Sequence, residues 1–96
     1  MLGRVIIRTE SPTVLKPLLK AAIQNETKRL AHGIKLTQTR LAMFEKQFGM
    51  PSEEFERRFE ANEIGETLDF IDWLMEIQAL RLLDEQHQAL QNARLD

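Results

Sequence analysis

The chain has 96 residues, of which 43% are hydrophobic and 29% are charged, with a formal net charge of −2 and no cysteine. This length predicts a single domain over residues 1–96, and the composition is that of a folded, water-soluble protein. The lack of cysteine excludes a disulfide framework and a thiolate metal site. Because no apolar stretch reaches the roughly 20 residues of a membrane span, or forms a signal-peptide core, we expect a cytoplasmic protein.

The small net charge hides a difference between the two halves of the chain. Residues 1–49 carry nine Lys and Arg against three acidic residues, whereas residues 50–96 carry four Arg against twelve acidic residues. A basic half can indicate nucleic-acid binding. Alternatively, the two halves lie against each other and neutralise their charges, which is the interpretation that the helix pattern favours.

Residues 1–12 predict a short N-terminal β-strand followed by a helix cap. The segment 5–7 and Thr9 favour a strand, whose alternation would place Arg4, Ile6 and Arg8 on one face. We expect this edge strand to pair across a dimer, which would satisfy its free backbone groups. The alternative is a DNA-binding transcriptional regulator, in which the paired strand enters the major groove and Arg4, Ile6 and Arg8 read the bases.

Residues 13–48 predict one long helix. Ser11 is a candidate cap, and Pro17 fits a first turn, where its missing N–H costs nothing. Gly33 costs about 1 kcal/mol relative to Ala without ending the helix. The apolar positions follow a heptad seam, the pattern by which one helix packs along another. The seam consists of Ile23, Thr27, Leu30, Ile34, Thr37, Leu41, Phe44 and Phe48.

Two further helices are predicted, over residues 52–62 and 67–92. Gly49 and Pro51 end the long helix, Ser52 is expected to cap the short helix, and Thr67 the third helix.

The third helix is unusually apolar, with eleven apolar residues among the sixteen from Leu68 to Leu83. A helix that is apolar over most of its circumference needs more than one neighbour. We therefore predict a mainly α-helical fold in which the long and third helices form an antiparallel hairpin, with the short helix in the elbow. Two such hairpins would pair into a dimeric four-helix core.

The same surplus of apolar surface predicts where a partner protein would bind. We expect the contact surface to comprise the surplus face of the third helix and the two phenylalanines of the short helix. The predicted partner-binding residues are Phe55, Phe59, Trp73, Leu74, Ile77, Leu80 and Leu83. Trp73 carries a second interpretation, because a single tryptophan at helical spacing is commonly a core residue.

No pattern in the sequence indicates catalysis or a bound cofactor. Asp69, Asp72 and Glu76 share a helix face, but the Glu-x-x-His pairs of a di-metal helical bundle are absent. The two histidines are isolated, and the sequence has no phosphate-binding glycine loop or nucleophile motif. We therefore predict a non-enzymatic protein with no cofactor and no metal.

The layout of these signals resembles a group of small, uncharacterised bacterial and archaeal helical-hairpin proteins. The resemblance rests on short motifs at helix starts, helix ends and turns, which are spread along nearly the whole chain. They are Pro17-Leu18-Leu19-Lys20, Phe48-Gly49-Met50, Ser52 to Phe55, Phe59, Gly65, and Asp69-Phe70 with Trp73. Such proteins look similar to the antitoxin-like halves of toxin–antitoxin pairs. The resemblance implies a partner protein rather than a substrate.

Overall fold

A computed structural model describes the backbone of residues 3–95 and the side chains of residues 6–93. Over this range the chain is mainly helical, and the three predicted helices are present. They are α1 (Pro12–Phe48), α2 (Ser52–Glu60) and α3 (Leu68–Gln91). None of the helices in the described range is both long and apolar enough to cross a membrane.

The N-terminal strand is not where the sequence predicts it. Residues 6–10 have no regular secondary structure. The only extended pairing in the described range joins β1 (Gly3–Val5) and β2 (Ala93–Leu95), which run parallel with Val5 beside Leu95. Among the described residues, no strand pairs with residues 6–10. The predicted alternating strand through Arg8, paired across a dimer, is therefore not supported.

Helix α1 begins at Pro12, one residue before the predicted start at residue 13, so that Pro17 lies beyond its first turn. Pro12 is the first helical residue, where a missing N–H costs nothing, and Pro17 lies inside the helix. Ser11 occupies the cap position but makes no side-chain cap hydrogen bond. Instead, the backbone N–H of Ser11 donates to Thr9 Oγ1 at 3.1 Å. The first turn is therefore set by Pro12, because its fixed φ already suits a helix.

In the turn between α1 and α2, the cap that ends α1 is the predicted one, whereas the residue that caps α2 differs from the prediction. Gly49 ends α1 in the left-handed conformation, with φ of 68°, as its position predicts. Ser52 was expected to cap α2, but the cap position belongs to Pro51 and Ser52 is already helical. The carboxylate of Glu45, on α1, accepts the Ser52 N–H at 2.7 Å. A side chain from the preceding helix thus satisfies a free N–H group at the start of α2.

Helices α1 and α3 form the hairpin, and two contacts fix its antiparallel register. A Cβ built on Gly33 would lie 3.5 Å from Leu83 Cδ1, and Arg40 Nη1 lies 3.4 Å from Glu76 Oε1. Helix α1 has 37 residues and α3 has 24, so α1 continues past the end of α3. On this register Gln91 lies at the level of residue 25, so residues 12–24 extend beyond α3 and are called the projecting arm, although Leu15, Leu19 and Ile23 within it are half-buried.

The core lies between the helices at the elbow end of the hairpin. All eight seam residues of α1 are buried or half-buried, as the heptad pattern predicts. The buried apolar side chains in the described range are few: Leu30, Leu41, Phe55, Trp73 and Ile77. An aromatic cluster dominates this core, because the phenylalanines of all three helices pack around Trp73.

Candidate interaction surface

Trp73 is the centre of the core and does not reach the surface. Its side chain has no exposed area, and its ring stacks on Phe55 with centroids 4.0 Å apart and planes within 3°. Phe44 and Phe48, from α1, stack on it at 5.7 and 5.6 Å. The indole Nε1 donates a hydrogen bond to Ser52 Oγ at 2.9 Å, so its one polar group is satisfied.

The predicted partner-binding set is therefore not an exposed face. Phe55 and Trp73 are fully buried and Ile77 is 7% exposed, all within this one chain. The remaining four are half-buried: Phe59, Leu74 and Leu80 pack against the core, and Leu83 lies over Gly33. The prediction is corrected for the three buried residues because α2 packs on α3 and covers that side. The sequence analysis expected α1 to be the only helix of the same chain that covers α3, and did not include α2.

One flank of the hairpin is occupied by α2, which two polar contacts hold in place. Arg81 donates two hydrogen bonds to the carboxylate of Glu56, one of them at 2.7 Å, and this pair joins α3 to α2. Hydrogen bonding from Arg81 lowers the pKa of Glu56. On the other side of α2, Glu45 accepts the Ser52 N–H. The chain itself therefore covers the elbow end of this flank, over the length of α2, which has nine residues against the 24 of α3.

No helix of the described part of the chain covers the opposite flank of the hairpin, where apolar side chains are exposed between charged ones. Met43 of α1 and Met75 of α3 line one groove there and are 66% and 61% exposed. Arg40, Asp72 and Glu76 line the same groove. Each methionine lies on the side of its helix that α2 does not reach, so the two form an apolar pair facing outward.

A second apolar pair follows one heptad along the same flank. Leu36 precedes Met43 by seven residues, and Leu82 follows Met75 by seven. Because the helices are antiparallel, both steps move about 10 Å in the same direction, at 1.5 Å per residue. Leu36 and Leu82 are 44% and 54% exposed. We call this flank the open face; it comprises Leu36, Arg40, Met43, Asp72, Met75, Glu76 and Leu82.

The molecule also has more surface than a compact chain of its size. Its accessible surface is 7466 Å², whereas a compact 11.2 kDa monomer exposes about 5,700 Å². Its radius of gyration is 18.5 Å, against about 12.5 Å for a compact 96-residue domain. The hairpin is thus an extended object, 58 × 22 × 18 Å, with surface available for association.

The residues of the DNA-binding alternative do not form a ribbon in this structure. Ile6 is 61% exposed and Arg8 is exposed, but both lie in the irregular segment before α1. The backbone of Arg4 pairs with that of Arg94, and the Arg4 side chain lies outside the described residues. The structure therefore does not place these three side chains on one strand face.

The acidic side chains do not assemble into a metal site. Asp69, Asp72 and Glu76 follow one side of α3, and no group of three or more His, Asp or Glu in the described residues could hold a metal ion. Glu76 instead faces Arg40 across the hairpin.

Comparison with known proteins found no matching family model, curated protein or solved structure.

Proposed function

We propose that this protein is a non-enzymatic helical interaction module that acts as a homodimer through the open face. The proposal rests on the two exposed apolar pairs of the open face, Leu36 with Leu82 and Met43 with Met75. Their heptad spacing on two adjacent helices is the pattern by which helices pack along helices. A hairpin with one such face is half of a four-helix bundle, and a second hairpin supplies the other half.

The surface area supports an association of this size. The chain exposes roughly 1,800 Å² more than a compact protein of its mass, from the values given above. A standard protein interface buries about 800 Å² on each partner. The elongated shape therefore provides surface for an interface of this size, of which the open face is one part.

The antitoxin-like form of this proposal adds a partner protein that the dimer holds. The projecting arm lies outside the bundle and carries exposed apolar side chains, Val14 and Leu18, both 61% exposed and one turn apart. Lys16 and Lys20 lie among them and add positive charge. These features suit contact with an acidic protein surface that has apolar side chains. We also propose that the protein acts in the cytoplasm.

The homodimer is tested by measuring molar mass in solution with light scattering after gel filtration. We expect the wild-type chain near 22 kDa, twice its 11.2 kDa. Met75→Lys places a charge in the apolar pair and should yield monomer. Val14→Lys is the matched control, because Val14 has the same 61% exposure but lies on the arm. The proposal would be refuted if the wild-type protein were still monomeric at a concentration about 100 times a micromolar dissociation constant.

The partner is tested separately by affinity capture at about 0.3 M salt, where surface charge attraction is weakened. We expect a small protein in stoichiometric amount, recovered with the wild type and lost with Leu18→Lys. Reconstitution from the two purified proteins must then give a complex of defined mass. Recovery of the bait alone would contradict the antitoxin-like role and leave the homodimer in place.

A further inference from the structure

We propose that the two copies pair in parallel, with the twofold axis running along the hairpins, so that α1 of each copy packs against α3 of the other. This inference rests on the homodimer proposed above and adds its geometry. The alternative has its axis across the hairpins, which makes the copies antiparallel and packs α1 against α1 and α3 against α3. With the helices aligned, these are the two twofold arrangements that bring one open face against another.

The apolar pairs of the open face fit both arrangements equally well. On the register set by Gly33 with Leu83 and Arg40 with Glu76, the members of each apolar pair lie two residues apart in level, or about 3 Å. In the parallel dimer, leucines therefore meet leucines and methionines meet methionines with an offset of about 3 Å. In the antiparallel dimer, leucines meet methionines with an offset of about the same size. The charged side chains of the face therefore decide the orientation.

The charged residues nearest the middle of the open face are Arg40 and Glu76. They form an ion pair across the hairpin at 3.4 Å and line the open groove, and the Arg40 side chain is 53% exposed. In the parallel dimer, Arg40 of each copy lies at the level of Glu76 of the other, so the four charges alternate in sign around the axis. In the antiparallel dimer, the two Arg40 residues face each other at levels about 5 Å apart, and so do the two Glu76 residues. Because like charges across an interface disfavour it and opposite charges fix its register, this set favours the parallel dimer.

Asp72 favours the same orientation. Its side chain lines the open groove and forms no ion pair with another described residue. It lies one turn, about 6 Å, from Glu76 towards the elbow. In the parallel dimer this level falls beside Met43 of the second copy, where Arg40 of that copy is one turn away and within side-chain reach. In the antiparallel dimer the same carboxylate lies opposite Leu82 of the second copy, which is an apolar side chain.

The like charges at each end of the molecule do not oppose parallel pairing, because they face away from the interface. The acidic helix α2 lies on the flank away from the open face, so its two copies lie on opposite outer sides of the bundle, about 25 Å or more apart. That separation exceeds the screening length of about 8 Å at physiological salt. On α1, Lys16 and Lys20 each lie about 160° around the helix from Leu36 and therefore also face outward.

Parallel pairing places both projecting arms at the same end of the bundle. A partner protein then meets two copies of Val14 and Leu18 together, and contact with both arms strengthens its binding by avidity. Antiparallel pairing would place one arm at each end.

Distance measurement between spin labels tests the orientation directly, since the chain has no native cysteine to interfere. Gln24→Cys and Ala42→Cys each replace an exposed residue of α1. The two positions are 18 residues apart, which is five full turns, so their labels point in the same direction at different levels. In the parallel dimer both labels should give about 20–35 Å, with the two values within about 8 Å of each other. In the antiparallel dimer the Gln24 label lies about 22 Å from the axis level and should give about 45 Å or more, about 20 Å longer than the Ala42 label.

The three outcomes separate the two proposals. Matching distances at Gln24 and Ala42 support the parallel dimer. A much longer distance at Gln24 than at Ala42 overturns this inference and leaves the homodimer standing. No inter-label coupling at either site means that the protein is monomeric, which refutes the proposed function itself.

Charge reversal at Asp72 gives an independent test of the side-chain contacts. Asp72→Arg sets an arginine beside Arg40 of the second copy at two symmetric places, so it should raise the dimer dissociation constant about tenfold. Asp84 is the matched control, because it lies on the same helix but lines the cavity beside α2. Asp84→Arg makes the same change in charge and should stay within about twofold of wild type. The contact is refuted if the two variants dimerise equally well.

Discussion

Trp73→Ala is expected to destabilise the monomer fold rather than to remove a binding contact. The substitution empties the centre of the aromatic cluster, where the ring has no exposed area and stacks on Phe55 at 4.0 Å. Replacing a buried Trp or Phe by Ala costs about 3–5 kcal/mol. The whole free energy of unfolding for 96 residues is about 5–14 kcal/mol, so the loss is a large fraction of it.

Thermal unfolding followed by circular dichroism at 222 nm measures this effect, because the variant lacks the only tryptophan and cannot be followed by its fluorescence. We expect the Tm to fall by at least about 12 °C. Two milder changes separate packing from hydrogen bonding. Trp73→Phe keeps a stacked ring but loses the indole N–H, and Ser52→Ala removes only the acceptor, 2.9 Å away. Ser52→Ala should cost about 1 kcal/mol.

The order of these effects is what the structure predicts: Ala worst, Phe intermediate, Ser52→Ala mildest. A Trp73→Ala variant with a Tm within about 2 °C of wild type and normal ellipticity would refute the reasoning. If such a variant had also lost dimerisation or partner binding, Trp73 would be an interface anchor, as its place among the predicted partner-binding residues implies.

Three further changes test local features of the fold. Gly33→Ala should stabilise by about 1 kcal/mol, because the new methyl group meets Leu83 at an ordinary 3.5 Å and Ala is the better helix former; a lower Tm would mean that the site is more tightly packed. Thr67→Ala should cost about 1 kcal/mol in urea unfolding, since Thr67 Oγ1 accepts the Phe70 N–H at 3.1 Å, and Thr67→Ser should retain most of it. Hydrogen bonds from the neighbouring arginines of α2 lower the pKa of Glu54 from 4.5 to about 2. A lowered pKa means stability that is present above about 4.5 and lost as the pH falls towards 2, so Glu54→Gln should make the Tm less dependent on pH in that window, and an unchanged slope would contradict the pairing.

The short-range features of the fold could be predicted because their causes are local in the chain. Gly49 adopts a positive φ, and Pro51 follows it, so α1 ends at Phe48, the residue where it was expected to end. Thr67 caps α3 with its own side chain. The first helix also begins within one residue of its predicted start, although Pro12 and not Pro17 occupies its first turn.

The candidate site could not be read from the sequence to the same depth. A third helix that is apolar almost all round shows that it needs several neighbours, but not which side each neighbour covers. Trp73 and Ile77 face the core, whereas Met75 and Leu82 face outward, and all four are apolar residues in one run. Their burial depends on where α2 folds back onto α3, where Glu56 meets Arg81 across 25 residues of sequence.

The amino-acid sequence by itself determined the helices, their approximate ends and the inward seam of α1, because propensity, capping and heptad spacing act within a few residues. Only the tertiary structure decided that α2 covers the elbow end of one flank of the hairpin and leaves the other flank open. The physical reason is that the backbone turns at the elbow set the position of α2. That position determines which apolar side chains of α3 lose their contact with water and which remain exposed.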